Sequence, residues 1–249
     1  MIVMFNIPEL RLEIYDIIGG RNLEHLEDFL QVYGDYLPQY IRYEPLMRQR
    51  ACQPLDPGDK YYWHQWLVRQ VGQPVAMVTF VLNRRRNMGI LLDFAVTPEA
   101  RAVHYQGHTR LAGLILSLSW EQLKLDARAD GMPIPACMIA EVEHIPLVER
   151  YRQYGFVELP VEYYEPPYTP KLAEIFDPAE LEQYVGYRRL YLGAFAIPGG
   201  QFDPADPDTI CKIVETLLID HYQLCPEHWT VNKALRCYIE SPSERATAF

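Results

Sequence analysis

The segment from Ile90 to Leu125 joins an apolar strand to an amphipathic helix through a short polar loop. The apolar residues of Ile90–Val96 predict the strand, and a leucine-rich stripe at helical spacing predicts the helix. That stripe consists of Leu111, Leu114, Ile115, Leu118 and Leu125. Gly107 lies in the loop between the two elements. Because a helix N-terminus presents unpaired N–H groups and a positive dipole end, this segment predicts a phosphate site.

A second segment, Ile145–Phe156, carries a tyrosine that could donate a proton. Pro146 opens the predicted helix and Gly155 closes it, which is the usual asymmetry of proline and glycine at helix ends. Tyr151 lies in this helix, and a phenol with a pKa near ~10 keeps its proton at neutral pH. The other interpretation is that Tyr151 packs on Leu147, one helical turn earlier, as part of the core.

Composition limits the classes of function. The chain has 249 residues, of which 49% are hydrophobic, and its formal net charge is −10. Phosphate neutralisation needs a basic surface, so this charge argues against a nucleic-acid partner. It mildly favours a cationic or amine substrate. No apolar run is long enough to span a membrane and no signal peptide is evident, so no membrane association and a cytoplasmic location are expected.

Metal ligation is not predicted. The five cysteines are widely spaced and odd in number, which favours reduced thiols over a disulfide framework. His221, Cys225 and His228 lie close together in sequence, but they lack the paired spacing of a zinc module. We therefore expect no metal.

Several further elements must position these segments. Strands are predicted at Leu10–Ile14, Tyr61–Val71, Val75–Leu82, Cys137–Val142, Val157–Tyr164 and Tyr187–Ile197. Helices are predicted over Leu23–Tyr33, Gln39–Arg50, Ala179–Tyr184 and the region from Asp206 onward. The prediction is an α/β fold with a mixed, mostly antiparallel twisted sheet, helices on both faces, and a C-terminal helical extension.

The order of these motifs resembles the GNAT superfamily of N-acetyltransferases, which bind acetyl-coenzyme A. The resemblance covers roughly Leu10–Tyr168 and is strongest over Asp93–Leu118 and Cys137–Phe156. It implies that residues 1–168 form an acyl-CoA-binding acyltransferase domain and that residues 169–249 form an extension, a strand plus helices, docked on the same domain. The oligomeric state is left open, with a homodimer as one alternative.

The resemblance implies a set of coenzyme-binding residues. In that family the pantetheine arm pairs like an extra strand with the end of the fourth strand, which often contains a bulge. That position corresponds here to Phe94, Ala95 and Val96, and the N–H of Val96 would face the thioester oxygen.

The family's pyrophosphate motif can be matched in two registers. One uses His104, Gly107 and Thr109; the other starts at Arg101 and lacks the glycine. In the first register, Thr109 would either cap the helix or contact the phosphate through its hydroxyl. Residues of this loop that would contact the coenzyme are therefore His104, Gln106, Gly107, His108, Thr109 and Arg110.

The resemblance also implies roles in proton transfer. Tyr151 corresponds to a tyrosine that can protonate the departing thiolate. The group that accepts the amine proton varies within the family, and Asp93, Glu141, Glu143 and His144 are the local candidates. Period-two alternation places Glu141 and Glu143 on the same face of one strand. His144 falls where the family often has asparagine and is also a candidate for coenzyme contact.

The sequence thus predicts an N-acyltransferase that moves an acetyl or short acyl group from acetyl-CoA to a small-molecule or peptide amine. Direct attack in a ternary complex would need no covalent enzyme intermediate. Two alternatives stay open. One is a non-catalytic protein of this fold that senses the coenzyme or binds a protein, and the other is an enzyme acting on protein lysines or N-termini.

Overall fold

A computed structural model describes residues 5–7, 11–102, 104–105, 109–167 and 187–239. The chain divides into two compact units, Met1–Pro133 and Ile134–Phe249. Each unit is built from strands and helices and is described separately below.

The first unit contains an antiparallel run of five strands in chain order. They are β1 (Phe5–Ile7), β2 (Leu12–Asp16), β3 (Tyr61–Gln70), β4 (Gln73–Asn83) and β5 (Met88–Val96). The long β3 and β4 form a hairpin whose turn contains Val71 and Gly72, both with positive φ. β1 was not predicted, whereas β2 to β5 confirm the predicted strands.

Helices cover both faces of this sheet. On one face, α1 (Leu26–Tyr36) and α2 (Glu44–Cys52) form a buried apolar cluster with Leu67 of β3, Met77 of β4 and Ala95 of β5. The predicted helix over Gln39–Arg50 is divided, because a 3₁₀ segment, Pro38–Tyr43, precedes α2. Pro45 lies in the first turn of α2, where its missing N–H needs no partner.

The connection after β5 contains more structure than the predicted loop. It comprises the short helix α3 (Pro98–Arg101) and a small hairpin of β6 (His104–Tyr105) and β7 (Thr109–Arg110), and it leads into α4 (Leu111–Ala129). The predicted stripe of α4 is partly wrong. Leu111 and Ile115 are buried, but Leu125 is 44% exposed, while Asp126 and Gln122 lie on the buried face.

The second unit is organised around a central strand, β11 (Arg188–Ala196), which pairs antiparallel with β8 (Cys137–Val142). β9 (Phe156–Glu158) and β10 (Tyr163–Glu165) pair with different halves of β11. The predicted strand Val157–Tyr164 is therefore two strands, and Pro160, which has no N–H to donate, lies between them.

The described part of the second unit also contains helices. They are α5 (Ile145–Arg152), α6 (Pro207–Glu215), a π-helical segment over Thr216–His221, and α7 (Trp229–Ile239). Asp206 caps α6 as predicted, accepting hydrogen bonds from the N–H groups of Asp208 and Thr209. The helix predicted at Ala179–Tyr184 lies outside the described residues.

These elements confirm the predicted fold class, a mixed, mostly antiparallel sheet flanked by helices, with further helices toward the C-terminus. The predicted domain boundary at residue 168 stays a prediction. β11 belongs to the predicted extension of residues 169–249, yet it pairs with β8. The C-terminal region therefore supplies a strand, as predicted at Tyr187–Ile197, together with helices.

Replacing Gly193 by Ala is expected to destabilise the second unit by about 3 kcal/mol. A Cβ at Gly193 would lie 2.3 Å from Phe156 Cζ and 2.4 Å from the Val157 carbonyl oxygen. The carbonyl belongs to the paired strand and cannot move without breaking the ladder. Urea unfolding of the Gly193→Ala variant measures this cost.

Gly34→Ala in α1 is the matched control for Gly193→Ala. A Cβ at Gly34 would meet Ile41 Cδ1 at an ordinary 3.5 Å, and alanine favours the helix by about 1 kcal/mol. This variant is therefore expected to be as stable as the parent or more stable. Equal stability of the two variants would contradict the steric argument.

Candidate active site

The segment predicted to hold the pantetheine lies at the end of β5, after a break in the strand register. Thr79 of β4 pairs with Asp93, whereas the next residue, Phe80, pairs with Leu91, so Leu92 is an extra residue in β5. This is a β-bulge, which locally bends a strand and increases its twist. The irregularity directly precedes Asp93 and lies two residues before Phe94–Val96, the segment where the resemblance placed it.

Side chains at the end of β5 differ in exposure. Asp93 and Phe94 are partly exposed, while Ala95 and Val96 are buried. The Val96 carbonyl accepts a hydrogen bond from Arg101 Nε at 2.8 Å, and the Thr97 N–H donates to the Val75 carbonyl at 2.9 Å. These bonds fix the backbone where β5 ends. The assignment of the Val96 N–H to the thioester oxygen stays a prediction.

The predicted phosphate loop is only partly described. Gln106, Gly107 and His108 lie outside the described residues, between the paired strands β6 and β7. In that hairpin, His104 pairs with Arg110, which brings two predicted coenzyme residues together.

The helix that follows this hairpin begins later than predicted. Arg110 occupies the N-cap of α4, so the prediction of Thr109 as the cap is wrong: Thr109 lies in β7. Arg110 makes no side-chain capping bond, and the first turn of α4 has no acidic residue. The N–H groups of this turn and the dipole are therefore suited to an anion.

In the second unit, Glu141 of β8 is the centre of a partly buried polar cluster. Its Oε1 accepts a hydrogen bond from the Tyr163 hydroxyl, and its Oε2 accepts one from the Tyr222 hydroxyl at 2.8 Å. Tyr163 is fully buried. Burial of the carboxyl group raises the pKa of Glu141 to about 8, and the charge of Glu165 adds to this effect. Burial thus keeps the Glu141 carboxyl group protonated to a higher pH than an exposed glutamate.

Glu143, the second acidic candidate of β8, is committed to an ion pair. Arg188 donates from Nη1 to Glu143 Oε1 at 2.7 Å and from Nε to Glu165 Oε2 at 2.7 Å. Arg188 therefore bridges two carboxylates. The alternation of the strand predicted that Glu141 and Glu143 lie on the same face. The structure agrees, because both side chains contact one connected cluster of polar residues.

Tyr151 lies in α5 against two phenylalanine rings. Its ring centroid is 5.9 Å from that of Phe156 and 5.5 Å from that of Phe195. Its aromatic neighbours thus come from β9 and β11, which the sequence pattern could not indicate. His144 is exposed at the N-cap of α5. The chemical roles predicted for Tyr151 and His144 stay predictions.

Sequence reasoning missed the partners of Glu141. Tyr163 and Glu165 come from β10, Arg188 from β11, and Tyr222 from the residue after the π-helical segment. Tyr222 is 81 residues from Glu141 in the chain. No short-range pattern links positions so far apart, and only the pairing of β8, β11 and β10 brings them together.

A second buried cluster, also missed, lies in the first unit. His64 donates from Nδ1 and Nε2 to Asp16 Oδ2 at 2.7 Å and Asp126 Oδ2 at 2.9 Å. Burial alone lowers the pKa of His64, but the charge of Asp16 and hydrogen bonds to both carboxylates outweigh it, raising the pKa to about 10. His64 is therefore an imidazolium held between two aspartates. It stacks on Phe80 at a centroid distance of 4.7 Å.

The first unit also contains an open pocket of about 520 Å³ beside α1 and the turn between β3 and β4. Its lining includes three carboxylates, those of Asp28, Asp35 and Glu99, together with Tyr36 and Arg69. Arg69 Nη1 lies 3.6 Å from Asp28 Oδ2. The acidic lining exceeds the single basic group, so the pocket suits a cation.

Among the described residues, no group of three or more His, Cys, Asp or Glu side chains is arranged to hold a metal ion. His228 is engaged by protein groups on both ring nitrogens: Nδ1 accepts a hydrogen bond from the Thr230 N–H at 3.3 Å and lies 2.8 Å from Thr230 Oγ1, and Nε2 lies 3.2 Å from the Tyr187 hydroxyl. Within the same part of the chain, every helix is too short or too polar to cross a bilayer.

No family model and no curated protein sequence matches this chain. Among solved structures, a ribosomal-protein alanine N-acetyltransferase from Escherichia coli matches at 15% identity and a TM-score of 0.46, over 75% of this chain and 94% of that one. A chimeric spermidine N-acetyltransferase with sequence from Vibrio cholerae matches at 12% and 0.46, over 76% and 96%. An acyl-CoA N-acyltransferase from Pseudomonas aeruginosa matches at 15% and 0.42, over 74% and 99%.

Proposed function

We propose that this protein is an N-acyltransferase of GNAT type, which moves an acetyl or short acyl group from coenzyme A to an amine. The observation that carries the proposal is the bulge at Leu92, directly before Asp93–Val96. A bulge interrupts regular pairing and re-aims the backbone of the strand that contains it. An extended pantetheine arm would pair with the backbone of Phe94, Ala95 and Val96 like an added strand.

The acyl donor in this proposal is acetyl-CoA. Its diphosphate would bind at the N-terminus of α4, where Arg110 adds a positive charge and the first turn has no acidic residue. The loop residues His104, Gln106, Gly107, His108 and Thr109, and His144 before α5, are the further proposed contacts. A diphosphate needs such donors because its oxygens accept hydrogen bonds only.

The proposed reaction needs two proton transfers. The amine nitrogen attacks the thioester carbonyl carbon, its proton passes to a base, and the carbon–sulfur bond then breaks to release the thiolate. Glu141 is the proposed base, directly or through one water, because its pKa of about 8 suits proton exchange near neutral pH. Tyr151 is the proposed acid that returns a proton to the thiolate. Asp93 and Glu143 are weaker candidates; Glu143 already pairs with Arg188.

The proposed acceptor is a small-molecule or peptide amine that carries a further positive charge. The acidic pocket lined by Asp28, Asp35 and Glu99 supports this class, because a cation bound there would be attracted by more than one carboxylate. The test is the release of coenzyme A thiol from acetyl-CoA across monoamines, diamines and peptides with a free N-terminus or lysine. Thiol release with any of these amines, above the rate without amine, supports the proposal.

Replacing Tyr151 by Phe is expected to lower turnover roughly 10²-fold with little change in protein stability. The substitution removes only the hydroxyl, while the ring contacts with Phe156 and Phe195 remain. Steady-state thiol release measures the loss. Tyr154→Phe is the control, because Tyr154 lies just after α5, three residues from Tyr151. This variant should keep full activity. If the Tyr151 variant keeps its full turnover, Tyr151 is not the acid and only packs in the core.

The alternative proposal is a non-catalytic protein of the same fold that binds the coenzyme as a signal. The packing of Tyr151 between aromatic rings and the commitment of Glu143 to Arg188 favour this alternative, because both groups then have structural roles. Thermal stabilisation by acetyl-CoA without thiol release over the whole amine panel would select it.

A further inference from the structure

The π-helical segment Thr216–His221 ends in a side chain that contacts the candidate base. Tyr222 follows this segment, and its N–H bonds the carbonyl of Leu217, five residues earlier, at 2.8 Å. Leu217 and Leu218 are fully buried and anchor the segment. The wide turn therefore holds Tyr222 in one place, with its hydroxyl 2.8 Å from Glu141 Oε2.

The Glu141 carboxyl group receives a hydroxyl donor on each oxygen, one from β10 and one from the C-terminal region. Burial and the charge of Glu141 raise the pKa of Tyr163 and of Tyr222 well above 10. Both hydroxyls therefore keep their protons and donate to Glu141. Donors of this kind stabilise the ionised carboxylate more than the neutral acid.

Other charged groups act on Glu141 from the elements packed around it. Glu165 of β10 disfavours ionisation, while Arg188 of β11 favours it. Arg188 also bonds Glu143, the neighbouring acid on β8. Burial favours the neutral acid most strongly, so the two tyrosine hydroxyls act against the dominant influence.

We infer that Tyr222 is a positioning residue for Glu141: the C-terminal segment supplies the hydroxyl that orients this carboxylate and keeps it available to accept a proton. The inference rests on the proposed function for its catalytic meaning, but the contact itself is structural. It gives the chain after β11 a role in the candidate active site. The sequence motifs predicted no role for this region. Tyr163 performs the same task from the opposite oxygen.

The test is a titration of Glu141 by carbon-13 NMR of the glutamate carboxyl signals, with Glu141→Gln used to assign the signal. In the Tyr222→Phe variant the midpoint for Glu141 is expected to rise by about one pH unit, a tenfold change in its dissociation constant. If the protein is active, thiol release at pH 7.5 should fall about tenfold and recover at higher pH. A purely structural defect would not recover with pH.

Tyr164→Phe is the matched control, because Tyr164 also donates to a glutamate, Glu162 at 2.7 Å, and lies next to Tyr163 in β10. It should leave the Glu141 midpoint unchanged. If Tyr222→Phe does not fold, 3-fluorotyrosine at position 222 keeps the shape and strengthens the donor, so the midpoint should fall.

The two proposals can fail separately. An unmoved Glu141 midpoint in both altered proteins would overturn the inference, even if thiol release is robust. Absence of thiol release in the parent protein would remove the enzymatic proposal, while the titration would still decide whether Tyr222 controls Glu141.

Discussion

Glu141→Gln is expected to lower acyl-CoA-dependent turnover by roughly 10²–10⁴-fold, the usual contribution of a positioned general base. Glutamine preserves the size and shape of the side chain and can still bond the hydroxyls of Tyr163 and Tyr222. It cannot accept a proton from the attacking amine. Steady-state thiol release as a function of pH is the measurement.

The pH profile separates this role from a structural one. In the parent, activity should rise as Glu141 ionises with a midpoint near its pKa of about 8. The residual activity of Glu141→Gln should lack that rise. Glu162→Gln, one residue before β10, is the control, because Glu162 bonds Tyr164 and Lys233, outside the bonds made by Glu141. A variant at Glu141 with parental turnover would rule out its role as base.

His64→Gln is expected to destabilise the first unit by about 3–5 kcal/mol at neutral pH, the cost of removing one partner from a buried ion pair. The substitution leaves Asp16 and Asp126 buried without the cation between them. Gln122 Nε2 still donates to Asp126 Oδ1, and the Gln65 N–H still donates to Asp16 Oδ1. These neutral donors do not replace the positive charge that His64 supplies to the two carboxylates. Urea unfolding of parent and variant measures the difference.

The sign of the pH dependence follows from the raised pKa of His64. The folded pKa is about 10 and the unfolded pKa is near ~6.5, so the stabilising proton is held fully below about pH 6.5. Stability from His64 is then lost as the pH rises toward 10. The difference between parent and His64→Gln should shrink over that range.

Glu141 also makes the free energy of unfolding fall as the pH rises. Its pKa is raised by burial to about 8, so its neutral form stabilises the folded protein at acidic pH and that stability is lost as the pH rises through 8. The parent and His64→Gln both contain Glu141. The difference between their free energies of unfolding at each pH therefore excludes the contribution of Glu141. His25→Gln, near Arg69 and Tyr15, is a control expected to change stability by less than about 1 kcal/mol. A constant difference from pH 6 to 10 would contradict the charged state of His64.

Local sequence patterns determined most of the strands and helices of this protein. Strands such as Cys137–Val142 alternate or concentrate apolar residues, and α5 begins with a proline and ends before a glycine. These signals act over a few residues, because backbone sterics and side-chain periodicity are local. The same locality placed Glu141 and Glu143 on one face.

Only the tertiary structure decided which side chains the acidic residues meet. Tyr222 contacts Glu141 across 81 residues, and His64 lies between aspartates 48 and 62 residues away. Leu125, expected in the core, is exposed because Asp126 and Gln122 turn toward the buried His64. The free energy of a buried charge depends on partners brought in by strand pairing and helix packing, and such long-range contacts leave no periodic trace in the sequence.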